Sequence, residues 1–284
     1  MFVLAVRGRQ NKIFSAQGGK DIETDQAIFL GVVQGLTEFF PISSSGHLVI
    51  FQSLFGFAEP QVAFDVILHL GTLLAVVVYL WADISEILRG TVVWIRERKE
   101  GQEKARLLLW IIVATIPTGL MGVILKDWFE SLFSKPKTVG IALLITGFVL
   151  WLTRYASRDE KTTKEMGLID AVVIGFAQGV AIIPGISRSG ATISTGLFRH
   201  LNRELSGKFS FLLSIPAILG ATVLKLRDLG TGLTPWAGFV GAASAFIVGF
   251  FSLKVLMKVI TAGKLSNFAY YCWAAGILML LLIR

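Results

Sequence analysis

The 284-residue chain is 54% apolar, has a mean hydropathy of +0.70 and carries only 16% charged residues, against roughly 25% in an ordinary soluble domain, which excludes a water-soluble globular fold. Its net charge of +8 does not signal nucleic acid, because the lysines and arginines fall in short links between apolar stretches, where they set orientation in a membrane. A single cysteine, Cys272, leaves no disulfide framework and no cysteine-based metal cluster.

Residues 1–26 read as a flexible polar tail, whose one apolar run over residues 2–6 is too short for the core of a cleaved signal peptide. A crossing helix needs about 20 mainly apolar residues. Six segments qualify, two of them slightly short: 62–82, 107–125, 138–153, 209–224, 235–257 and 266–283. Residues 96–106, of mixed sign, read as a solvated loop. Two further apolar stretches, opening at Ala27 and Ala171, do not read as crossing helices. Each has an arm of about 14 to 16 residues, a Pro/Gly/Ser turn and a second short arm, too short to cross. They predict re-entrant hairpins, since bare backbone at membrane depth is tolerated only when buried in protein or lining a wet cavity.

The two hairpins are copies of one another. Displaced by 144 residues, "AIFLGVVQGLTEFFPISSSGH" falls on "AVVIGFAQGVAIIPGISRSGA" with 8 of 21 positions identical, among them Gly31/Gly175, Gln34/Gln178, Ser43/Ser187, Ser45/Ser189 and Gly46/Gly190. Three spans follow each hairpin, so each unit crosses an odd number of times and the second starts from the opposite side. The expected fold is an all-α polytopic membrane protein of six transmembrane helices and two re-entrant hairpins. Its single membrane domain, residues 27–284, is built from inverted repeats over 27–155 and 168–284. In such folds broken helices meet near the midplane and form the binding site, so the two turns should face each other. Lysines and arginines number 16 on the side holding residues 83–106 and 10 on the side holding the tail. The first side is therefore cytoplasmic, with both termini outside.

In the turn "PGISRSGAT", a half-helix opening near Gly190 directs its dipole and amide groups at an anion. Ser187, Ser189 and Thr192 add hydroxyls, and Arg188 adds a planar fork suited to two phosphate oxygens. The first turn contributes Gln34 and Glu38, four apart on one face, then Ser43, Ser44, Ser45 and His47. Ser44 and His47 are three apart, so the imidazole is expected to exchange a proton with the hydroxyl or with a leaving oxygen. Carboxylate, hydroxyl, imidazole and guanidinium together are the parts of phosphoryl transfer. Glu38 could alternatively hold a divalent cation, or simply form an ion pair with Arg188. Asp65 and His69, four apart in the first span, form a second-tier pair.

On these residues the chain resembles the undecaprenyl-diphosphatases, or bacitracin-resistance proteins, of bacteria. Their (E/Q)xxxE motif running into a Ser-rich turn that ends in Gly-His stands here as "QGLTE" and "FPISSSGH", and their PGxSRSxxT motif as "PGISRSGAT". The similarity spans about residues 27–283. It implies a cell-membrane enzyme, open toward the outer face, that hydrolyses undecaprenyl diphosphate to the monophosphate and so recycles the lipid carrier of cell-wall synthesis. It assigns Glu38, Ser44, His47 and Arg188 to catalysis, and places Gln34, Ser43, Ser45, Ser187, Ser189, Gly190 and Thr192 around the phosphate. It also implies stimulation by Mg2+ or Ca2+, although Gln34 in place of an acid weakens a two-carboxylate metal site. The expected partners are a polyprenyl diphosphate and the bilayer, not nucleic acid, and a homodimer is left open. The type-2 phosphatidate phosphatases share a Ser-Gly-His, but their downstream His/Asp pattern is missing. The rival function is a polyprenyl-phosphate flippase, since inverted repeats with broken helices are also a transporter architecture.

Overall fold

The computed structural model describes residues 22–57, 61–98, 100–133, 135–156, 161–225 and 234–282. The tail expected over residues 1–26 lies, as far as residue 21, outside them. From Ile22, itself buried, the chain is already packed.

Among the described residues twelve α-helices follow in order: α1 (Thr24–Thr37), α2 (Ser44–Leu54), α3 (Val62–Tyr79), α4 (Trp81–Glu97), α5 (Gln102–Ile124), α6 (Lys126–Phe133), α7 (Pro136–Leu152), α8 (Leu168–Val180), α9 (Arg188–Phe198), α10 (Arg203–Lys225), α11 (Pro235–Thr261) and α12 (Phe268–Leu282). Among the described residues six segments are long and apolar enough to cross a membrane: Val62–Tyr79, Gln102–Ile124, Lys137–Tyr155, Arg203–Lys225, Pro235–Thr261 and Leu265–Leu282. They point large apolar side chains outward, such as Ile116, Leu120, Phe239 and Phe251. Water would not tolerate so wide an apolar surface, whereas lipid matches it.

Sequence and structure part at two links. Residues 96–106 are not one loop: Arg96 and Glu97 end α4, Arg98 turns in the left-handed region, and α5 starts at Gln102 after Gly101, which also has positive φ. Gly101 packs directly on the backbone of Gly90, so α4 folds back along α5, with Glu86 and Lys104 paired at 3.0 Å. α4 and the short α6 are amphipathic, and their charged faces hide them from a search for apolar runs. α10 likewise begins six residues before the expected span, on a charged start where Lys208 binds Asp83 at 2.7 Å and Glu204 at 3.0 Å.

The duplication is legible in local structure. α1 and α8 start at the same displacement of 144, as do α2 and α9. At the entry to α1 the Glu23 amide donates to Gln26 Oε1 (3.2 Å), and at the equivalent place in α8 the Gly167 amide donates to Asp170 Oδ2 (3.0 Å). Asp170 also accepts from Arg199 Nε (2.8 Å) and Lys161 Nζ (3.3 Å), fastening α8 to the end of α9. Burial works to raise its pKa, but the Gly167 amide and the two cations outweigh that and hold the carboxyl below its ordinary value.

Packing is exchanged between the halves. α1 lies on α11 of the second half, and α8 lies on α5 of the first; α3 packs on α11 and α10 on α5; the third spans α7 and α12 pack on each other. The repeated glycines explain the close approach. A Cβ on Gly31 would collide with the Gly241 carbonyl, and one on Gly175 with the Ala114 carbonyl, so only hydrogen fits at either crossing. Gly31→Ala and Gly175→Ala are each expected to cost about 1–3 kcal/mol through overpacking, read as a lowered unfolding temperature in detergent. Gly119→Ala and Gly220→Ala, where nothing lies within 4 Å, should leave it unchanged or slightly higher.

Candidate active site

α1 ends at Thr37 with Glu38 as its C-cap residue, and the chain turns through residues 38–43 before α2 starts at Ser44. Ser43 sits at φ 68°, a region a non-glycine residue enters only under constraint. In the second copy Ser187 caps α9, its Oγ accepting from the Gly190 amide at 3.1 Å. The two turns touch: a Cβ on Gly190 would stand 3.2 Å from Pro41 Cβ.

Glu38 is the hub. Its Oε1 accepts from Arg188 Nη2 at 2.7 Å, and its Oε2 accepts from the Ser44 hydroxyl at 2.6 Å and from Gln34 Nε2 at 3.2 Å. His69 Nε2 stands 3.6 Å from the same Oε2. Arg188 also reaches the Ser210 carbonyl of α10, Nη1 to O 3.5 Å. The Glu38 side chain is 7% exposed and that of Arg188 16%, so the pair sits in a nearly closed pocket. There each charge needs the other, because a lone buried ion carries a penalty of several kcal/mol. Ser44 is half-buried, leaving its oxygen approachable beside a carboxylate able to take its proton.

Glu38, Ser44, Arg188 and Gln34 thus converge. His47 does not join them. Its Nδ1 lies 2.8 Å from the Ser43 carbonyl and its Nε2 2.7 Å from the Tyr271 hydroxyl, with no hydrogen bond to Ser44. The two share a helical face, but the imidazole is held by the Ser43 carbonyl on one side and by Tyr271 of α12 on the other. Ser43 and Ser45 pair hydroxyl to hydroxyl at 3.3 Å, and Ser187 and Ser189 do so at 3.2 Å. Thr192, buried, bonds the Arg188 carbonyl at 2.8 Å and Ser210 Oγ at 2.5 Å. The Ser187 amide is taken by Thr146 Oγ1 of α7 at 3.2 Å, and the Gly190 amide by Ser187 Oγ. These groups shape the turn that carries Arg188 and its guanidinium.

Asp65 and His69 do not pair through the carboxylate: Asp65 Oδ1 accepts from Gln52 Nε2 (2.6 Å), while His69 Nδ1 bonds the Asp65 carbonyl (2.7 Å). That leaves His69 Nε2 facing Glu38, a placement that the (i, i+4) spacing alone does not disclose. Tyr271, Ser210 and Thr146 come from spans remote in sequence and carry no local signal.

Among the described residues no three His, Cys, Asp or Glu side chains group as metal ligands. Glu38 has both oxygens engaged, one of them by a guanidinium; beside it stand the buried, unpartnered Gln34 Oε1 and His69 Nε2. One occupied carboxylate, one amide oxygen and one imidazole next to a fixed positive charge do not fit a resident hard divalent cation, which takes several oxygen ligands.

The model of a known family, described as Bacitracin resistance protein BacA, matches residues 27–278. This chain belongs to that family. It is 45% identical over 265 residues to the undecaprenyl-diphosphatase of Halothermothrix orenii, covering 92% of this chain and 98% of the relative. It is 44% identical over 270 residues to that of Methanosphaera stadtmanae, covering 90% and 96%. With that of Carboxydothermus hydrogenoformans it shares 44% over 265 residues, again covering 90% and 96%. The match starts at Ala27, so all four converging side chains, Gln34, Glu38, Ser44 and Arg188, lie within it.

Proposed function

We propose that this BacA-family chain is an integral membrane phosphatase that hydrolyses undecaprenyl diphosphate to undecaprenyl phosphate and inorganic phosphate, returning the lipid carrier to cell-wall synthesis and thereby opposing bacitracin. One observation carries the chemistry: the Ser44 hydroxyl donates to a carboxylate whose other oxygen is held by Arg188. The terminal phosphate takes the guanidinium fork. Ser44 Oγ then attacks phosphorus, its proton passes to Glu38, and the bridging P–O bond breaks, releasing the lipid monophosphate. Glu38 gives up that proton to solvent; water then cleaves the phosphoserine as Glu38 takes a proton from it and hands one back to the departing Ser44 Oγ, leaving inorganic phosphate and free Ser44. The leaving lipid phosphate is stable as an anion and needs no proton. When the diphosphate draws Arg188 away, Glu38 loses its counter-charge and becomes a better proton acceptor at the moment one is required.

The exchanged packing of the two copies supports the inverted arrangement with re-entrant hairpins, the lysine and arginine asymmetry supports both termini lying outside, and the family resemblance supports a site that opens toward the outer face of a bacterial cell membrane. The reading is tested by mixing purified protein with a long-chain prenyl diphosphate and quenching rapidly: a phosphate-labelled Ser44 peptide and steady phosphate release are expected. Binding without phosphate release would instead indicate a lipid flippase.

A further inference from the structure

The helix α12 grips the first turn with one face. Phe268 packs on Phe40 with ring centroids 5.4 Å apart, Cys272 Sγ donates to the Pro41 carbonyl at 3.3 Å, and Tyr271 stacks on His47 at 5.8 Å and 18°. Residues 268, 271 and 272 are spaced i, i+3 and i+4, so they line one stripe. Of the three only Tyr271 reaches a functional group. We infer that Tyr271 is a positioning residue for the reaction: through His47 it braces the Ser43 carbonyl, and with it the turn that presents Ser44 to Glu38.

Donor and acceptor accounting carries this. The Ser43 carbonyl can only accept, so His47 Nδ1 holds the proton. In the neutral ring Nε2 then has a lone pair, and the Tyr271 hydroxyl donates to it. The tautomer follows from the network. With both nitrogens committed, His47 has no free site for the Ser44 proton, which has its own acceptor in Glu38. Ser43, meanwhile, needs holding. Its positive φ is costly for a side-chain-bearing residue, and the helical bond from the His47 amide to its carbonyl is long, 3.4 Å. The imidazole bond to that same oxygen is shorter, 2.8 Å, and makes good the weak one. Remove the phenol and the ring is free to swing, the carbonyl loses its brace, and Ser44 leaves the geometry in which reacting groups must lie within about 0.5 Å.

Three variants and one spectrum test it. Tyr271→Phe keeps the ring and loses the hydroxyl. It should lower kcat roughly fivefold to tenfold, the effect of one hydrogen bond, with KM little changed. In protein labelled with 15N-histidine, the His47 Nε2 resonance, assigned by its loss in His47→Asn, should move away from its hydrogen-bonded value while those of His69 and His200 stay in place and certify the fold. His47→Asn retains a donor near Nδ1 and should keep at least about tenfold more turnover than His47→Ala, one hydrogen bond of difference at its upper strength; a proton-transfer role for His47 would make both equally inactive. Equal inactivity, or a change in only one of kcat and the Nε2 resonance in Tyr271→Phe, overturns the inference. Only the kinetic arm depends on the phosphatase reading. Should the wild type release no phosphate while the resonance still moves, the reading of function fails and the hydrogen bond stands.

Discussion

Arg188→Lys is expected to lower turnover of a long-chain prenyl diphosphate by about 10²- to 10³-fold, the loss seen when a single oriented donor to a developing oxyanion is removed, while the protein stays folded. An ammonium can still pair with Glu38, so the buried carboxylate keeps its counter-charge. What it lacks is the planar fork: Arg188 spans Glu38 Oε1 with Nη2 and the Ser210 carbonyl with Nη1, and a point charge cannot fix a phosphate in one orientation against Ser44. Arg188→Ala should lose as much activity or more, and stability too, by about 3–5 kcal/mol, because Glu38 is then buried without a partner. Phosphate release and thermal unfolding in detergent separate the two effects. Near-wild-type turnover in Arg188→Ala would sink the mechanism.

The second large effect is on the proton acceptor. Glu38→Gln preserves size and can still accept a hydrogen bond from Ser44, but it cannot take the proton, and kcat should fall by about 10² to 10⁴. KM should not rise. With Glu38 neutral, nothing competes with the diphosphate for the guanidinium, so substrate binding holds or tightens while chemistry fails. A mere structural ion pair predicts the reverse, a loss of folded protein with normal turnover in what remains. Paired measurements of kcat, KM and unfolding temperature distinguish the two.

The hydroxyl-rich turns show where sequence patterns mislead about role. Ser187, Ser189 and Thr192 sit in the same motif as Arg188, and a motif presents its members as equals. In the folded chain the three bond the Gly190 amide, one another, the Arg188 carbonyl and Ser210, and so shape the turn that presents the arginine. His47 is the complementary case: three residues from Ser44 along the chain, it meets Tyr271, 224 positions away. Spacing reports which residues can share a helical face, but not which span packs against that face.

The sequence by itself determined the membrane class, five of the six spans to within a few residues, the duplication at a displacement of 144, and the convergence of Glu38 with Arg188. Each follows from a local quantity: apolar length, self-similarity, and the cost of leaving a charge unpaired in an apolar chain. The amphipathic helices α4 and α6 escaped, because a helix with a charged face has no apolar run to find. Only the tertiary structure decided that α1 lies on α11 and α8 on α5, that Glu38 receives the Ser44 hydroxyl, that His69 faces that carboxylate, and that Tyr271 holds His47. The helix pairings and the Tyr271–His47 bond depend on contacts across the two halves, made by residues up to 224 positions apart, and the Glu38 contacts depend on how its turn folds back against α2 and α3. Close packing through glycines such as Gly31 and Gly175 fixes them, and no single segment encodes such contacts.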